Sequence, residues 1–129
     1  MMIAQYVAAA LVGENRQLAQ PAVVDNFVTS GLQEDHLSLG TSAALKLGRA
    51  LENCGRILAI EYLLAAQAFE FHKPRSFGAG TAAAWETLRE RVPAYDQDRW
   101  LAPDIARAAD LLRDGAALEG IAARTGGLQ

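Results

Sequence analysis

Apolar residues recur at helical spacing over residues 2–19. Ile3, Tyr6, Val7, Ala10, Leu11 and Leu18 share one face, while Glu14, Asn15 and Gln17 gather near the end. Pro21 cannot continue a helix, so the first predicted helix stops before it. No Ser, Thr, Asp or Asn precedes it as a cap, and nearly every side ahead of Gly13 is apolar. Such a stretch is expected to start outside the chain, to be buried by other subunits, or to fray as a terminal helix. Residues 20–32 read as a loop containing Pro21, Asn26 and Gly31, with a short β-branched cluster after the proline. Ser30 and Gln33 have the spacing of a capping box, which predicts a long helix over residues 34–70. Gly40, Gly48 and Gly55 are places where it could bend.

The first half of that helix carries a polar stripe of Lys46, Arg49, Glu52, Asn53 and Arg56, and Glu52 and Arg56 stand four apart. From Ile57 onward apolar residues cover almost the whole circumference: Leu58, Ile60, Leu63, Leu64, Ala65, Ala66 and Ala68. A helix apolar all round must be enclosed by neighbours, and the helices left in the chain are short. That mismatch predicts oligomer contacts, at least a dimer, or further sequence beyond these residues. Residues 72–80 read as a loop with Pro74 and Gly78-Ala79-Gly80. A third helix is expected over residues 81–91, ahead of Pro93. A fourth is expected over residues 103–114, with Pro103 in its first turn, and a short weak turn over residues 118–124. The pattern predicts an all-α fold, a long-helix bundle with a short helical C-terminal subdomain, divided at 1–71 and 72–129.

Composition narrows the function classes. The chain is alanine-rich, with high helix propensity almost throughout, and 129 residues suit one ordinary domain. Twelve Lys and Arg against 15 Asp and Glu leave a net charge of −3, which argues against a nucleic-acid partner. The apolar start has no basic residue before it and is shorter than the roughly 20 residues a membrane helix needs, so no membrane partner and a cytoplasmic location are expected. Cys54 has no internal partner for a disulfide, in keeping with a reducing compartment.

The densest polar cluster is Gln33-Glu34-Asp35-His36, between Gly31 and Gly40, where a loop enters the long helix. A carboxylate at a helix entry is stabilising by about 0.3–1 kcal/mol without any function. That accounts for one acid better than for an amide, two acids and an imidazole in a row. His36, His72 and Cys54 lack zinc-site spacing, so no metal is expected. No Gly-x-Ser-x-Gly is present, and Cys54, inside the long helix, reads as core. Gly78-Ala79-Gly80 reads as a turn, Trp85 and Trp100 as packing anchors, and Arg89 and Arg91 as a solvated face.

Several runs resemble a known family. Met2-Ile3-Ala4-Gln5-Tyr6, Leu18-Ala19 and Pro21 are followed by Thr29-Ser30-Gly31-Leu32-Gln33-Glu34-Asp35-His36 with Ser38 and Gly40. Glu52-Asn53, Ile57-Leu58-Ala59-Ile60-Glu61 and Ala65-Ala66-Gln67 come next. Arg89-Glu90-Arg91-Val92-Pro93, Asp98-Arg99 and Leu101-Ala102-Pro103-Asp104-Ile105 complete the series. In order and spacing, over residues 2–115, they resemble the C-terminal part of the aromatic amino acid ammonia-lyases and aminomutases. The Gln-Glu-Asp-His run resembles the histidine branch, which some aminomutases share.

The resemblance implies non-oxidative loss of ammonia from an amino acid. It also implies a methylidene-imidazolone electrophile made from Ala-Ser-Gly, and an assembly whose sites combine several subunits. Glu34 matches the family's substrate-facing glutamate, a charge-assisted partner for an imidazole, with Gln33 and His36 in its support. Leu32 stands where many relatives have asparagine. No Ala-Ser-Gly occurs, so the electrophile is expected in an upstream part and the chain is expected to be inactive alone. Its partners are then further copies of itself or the missing N-terminal portion. The competing expectation is a stand-alone, non-catalytic helical oligomerisation module derived from the same family.

Overall fold

Alanine and leucine favour helix, and proline and glycine interrupt them, so helices joined by short breaks follow directly from the sequence. The computed structural model describes residues 2–72 and 76–127, which leaves Met1 and Pro74 outside the described residues. Among the described residues are α1 (Met2–Leu18), α2 (Gly40–Glu70), α3 (Ala79–Arg89), α4 (Ala102–Arg113) and α5 (Ala116–Thr125), with a single tight turn at Ser30–Leu32. The fold is all-α. No helix among the described residues is long and apolar enough to cross a membrane.

The 31 residues of α2 make it about 46 Å long; α1, α3 and α4 pack against it, and α5 packs on α3 and α4. α1 runs antiparallel to its first half through polar ties. Asn53 Nδ2 donates to Asn15 Oδ1 at 3.0 Å, Arg49 pairs with Glu14 at 2.9 Å, and Lys46 Nζ donates to the carbonyl of Gln20. In α1 only Ala4 is buried. The core lies at the other half of α2, where Ala59, Leu63 and Ala66 meet Leu88, Val92 and Ala108, flanked by Tyr62, Trp85 and Ile105. Residues on both sides of position 71 therefore share one core. Ala59, Ile60, Leu63 and Ala66 are covered, while Leu58, Ala65 and Ala68 stay exposed. The short helices thus enclose one side of the stretch beginning at Ile57 and leave the other open.

Several sequence expectations need correction. α2 starts at Gly40, six residues after the predicted start, and the capping box does not form. A capping residue needs extended backbone, whereas Ser30 lies at φ 53, and the Gln33 N–H is taken by the Ser30 carbonyl at 3.3 Å. Cys54 is exposed rather than core, on the side of α2 that meets Asn15. Trp100 is 79% exposed and is not a packing anchor among the described residues. Arg89 is not on a solvated face: with 12% of its side chain exposed, it pairs with Glu70 at 2.9 Å and donates to the Val92 carbonyl.

The last predicted turn is a full ten-residue helix. Gly115 at φ 78 starts it, Gly126 at φ 77 ends it, and the Gly127 N–H closes on the Ala122 carbonyl at 3.0 Å.

Candidate functional site

The loop between α1 and α2 doubles back on itself. Its tip is the turn Ser30–Leu32, in which Ser30, Gly31 and Leu32 have φ of 53, 63 and 67°. Gln33 N–H donates to the Ser30 carbonyl, and Thr29 and Glu34 form an isolated antiparallel bridge. The Thr29 hydroxyl then donates to Glu34 Oε2 at 3.1 Å, so backbone and side chain of the two residues hold each other. Deeper in the loop, Asn26 Nδ2 donates to the Leu37 carbonyl, and the Phe27 N–H donates to Asn26 Oδ1 at 2.9 Å.

These ties bring Gln33, Glu34, Asp35 and His36 onto one exposed edge. The imidazole of His36 lies against Asp35, with Nδ1 and Oδ1 3.4 Å apart, and the His36 N–H donates to the same oxygen at 2.9 Å. Glu34 is therefore tied to Thr29, and His36 to Asp35. An exposed carboxylate beside an amide and an imidazole offers acceptors and a donor to a small polar ligand, with no charge sunk into the chain's own core. No segment among the described residues covers this edge.

Thr29 and Asn26 fix the site, and neither stands out as a site residue in the sequence. The signal for Thr29 was a hydroxyl residue five positions ahead of the acid, and for Asn26 an amide in the same loop. His72 and Cys54 do not join the edge. Among the described residues no group of three His, Cys, Asp or Glu could hold a metal ion. Charged side chains also line the apolar cleft where Ala4 approaches α4, namely Arg89, Arg99 and Asp104. Each already has a partner: Arg99 Nε donates to Asp104 Oδ2 at 2.8 Å, and Arg89 is paired with Glu70.

A bundle of this design with a Gln-Glu-Asp-His edge defines a class, and comparison identifies it. The family model described as aromatic amino acid lyase matches residues 1–90, and the chain belongs to that family. Among curated relatives, the histidine ammonia-lyase of Symbiobacterium thermophilum is 47% identical over 129 residues, which are 100% of this chain and 25% of that enzyme. The histidine ammonia-lyase of Vibrio cholerae is 51% identical over 112 residues, 87% of this chain and 22% of its own length.

Solved structures agree. The histidine ammonia-lyase from Trypanosoma cruzi superposes with a TM-score of 0.88 at 37% identity, over 95% of this chain and 24% of that one. A tyrosine aminomutase from Streptomyces globisporus gives 0.87 at 38% identity, over 98% and 24%. The chain spans about a quarter of the length of the curated relatives it matches.

The family resemblance implies a methylidene-imidazolone group, and the residues present do not fit it. No Ala-Ser-Gly occurs in the sequence, and the nearest triplet, Thr29-Ser30-Gly31, is committed to the turn that carries Glu34.

Proposed function

We propose that this chain supplies one edge of a composite ammonia-lyase site that converts L-histidine to urocanate and ammonia, and that it is inactive alone. Its Glu34 is the group that meets the substrate, Gln33 and His36 support it, and a second polypeptide carrying the preceding part of the family fold completes the site. The observation that carries this reading is the fixed, solvent-facing Glu34 carboxylate in a chain 47% identical to a histidine ammonia-lyase. A carboxylate so placed accepts a charge-assisted hydrogen bond from an imidazole N–H, orienting the ring and favouring its charged form. The Gln33 amide and the His36 ring add neutral polar contacts on the same edge.

The second reading is the non-catalytic helical oligomerisation module, and exposed apolar side chains on α1, among them Ile3, Tyr6 and Val7, favour it. Mixing decides between the two. The chain alone with L-histidine should give no urocanate absorbance. Mixed with a polypeptide spanning the preceding three-quarters of a histidine ammonia-lyase, it should give turnover, which Glu34→Gln lowers by about a hundredfold. Turnover by the chain alone, or a stable mixed complex that stays silent, overturns the proposal.

A further inference from the structure

Among the described residues, the non-glycine residues in the left-handed region are Asp25, Ser30, Leu32 and Leu39, and all four lie in the loop that bears Glu34. An L-residue there brings Cβ against the following carbonyl, so such residues ordinarily occur singly. Here Ser30, Gly31 and Leu32 are left-handed in succession. Leu32 is also 80% exposed, so no burial compensates for its backbone strain. Strain of this kind persists where surrounding contacts over-determine it, and its clustering points to a functional segment. The contacts are on both sides of the turn: the Thr29 and Glu34 bridge with its hydroxyl–carboxylate bond, and the tie from Asn26 to Leu37.

We propose that the left-handed run Ser30–Leu32 is a positioning device for Glu34, acting through the backbone conformation of Leu32 and not through its apolar side chain. The run reverses the chain within three residues, so the Glu34 N–H closes on the Thr29 carbonyl and the Thr29 hydroxyl reaches one carboxylate oxygen. The other oxygen remains an acceptor for a ligand. If Leu32 relaxes to extended backbone, the bridge opens and the carboxylate loses its fixed direction. This inference rests on the role proposed above for Glu34, but its conformational half can be read without any activity.

Two substitutions separate backbone from side chain. Leu32→Asn removes the apolar group yet tolerates the left-handed region, whereas Leu32→Val keeps the apolar group and resists that region. The first readout is amide exchange of Glu34 by NMR in the chain itself. The second is kcat against KM in the mixture with the preceding polypeptide. Leu32→Asn should match the unsubstituted chain in both. Leu32→Val should speed Glu34 exchange and lower kcat, each by about tenfold, with KM changed less. Gly31→Ala, milder at the same turn, should shift both readouts in the same direction, which guards against Leu32→Val unsettling the chain as a whole.

Leu32→Val indistinguishable from the unsubstituted chain overturns the inference, as does Leu32→Asn proving as damaging as Leu32→Val. Absence of turnover in the unsubstituted mixture overturns the proposed function instead, and the exchange measurement then decides the inference alone.

Discussion

Asp104 shows how single residues hold the region behind the core. It sits in the first turn of α4, where a negative charge meets the positive helix end. Its carboxylate is 5% exposed and accepts from Arg99 at 2.8 Å and Arg107 at 3.2 Å. Arg99 also donates to the carbonyls of Pro93 and Ala94, which knits the segment before α4 to that helix. Losing Asp104 leaves Arg99, 30% exposed, without its partner, while Arg107, 56% exposed, stays in water. Asp104→Ala should therefore lower unfolding stability by about 1–2 kcal/mol in urea titrations, beyond a surface substitution.

Tyr62 makes a second residue-scale test, this time of pH dependence. Burial raises its pKa above the ordinary 10.0, partly opposed by Arg124, and its hydroxyl donates to the Ala84 carbonyl. A raised folded pKa means that the neutral form is favoured in the fold. Its contribution is fully present below the unfolded value and is lost as pH climbs from there through the folded value. Thermal stability should fall above about pH 10, and Tyr62→Phe should flatten that fall while costing about 1 kcal/mol at neutral pH. Tyr62 was not legible as a structural centre in the sequence, because a partner 22 positions away, the Ala84 carbonyl, leaves no periodic trace. The same blindness put Arg89 on a solvated face and Trp100 in the core.

At the scale of elements, hydrophobic periodicity and proline placement are strong signals, and α1, α3 and α4 fall within two residues of where they predict. The start of α2 was not legible. Ser30 and Gln33 carry the right letters for a cap, but left-handed backbone at Ser30 and Leu39 postpones the helix to Gly40. That conformation is set by cross-loop hydrogen bonds from Thr29 and Asn26, which a linear pattern does not contain. Of the candidate site, Glu34 and its neighbours were visible as a polar cluster, while the residues fixing them were not.

α5 was under-read for a different reason: its weak amphipathic pattern is compensated by close packing on α3. A Cβ at Gly120 would lie 2.7 Å from Thr87 Cγ2 and 2.8 Å from Thr87 Oγ1. Thr87 is buried, and its hydroxyl is bound to the Ala83 carbonyl, so it has little room to turn away. Gly120→Ala should destabilise by about 1–3 kcal/mol despite its better helix propensity. Adding Thr87→Ala should recover part of that loss, a non-additivity of about 1 kcal/mol in a double-mutant cycle.

On the scale of the whole molecule, the two ends are held by different physics. The C-terminal half of α2 is covered on one side by α3 and α4 in a continuous apolar cluster, whereas α1 rests on α2 by buried Ala4, half-buried Ala8, Leu11 and Leu18, and a few polar ties. Met2, Ile3 and Tyr6 on α1, and Leu45 and Leu51 on α2, present large apolar groups to water. A helix docked so lightly gains little from tertiary packing, which is what stabilises most short helices. Large apolar groups exposed on both helices mark surfaces for association. In isolation the chain should therefore show a mass of at least twice 13.8 kDa by light scattering, and α1 amides should exchange much faster than those at residues 59–67 at dilutions that dissociate it. Adding the preceding polypeptide should slow α1 exchange to the level of the core. A monomer with a well-protected α1 and little binding of a hydrophobic dye would show that the polar ties suffice, and that these surfaces need no second chain.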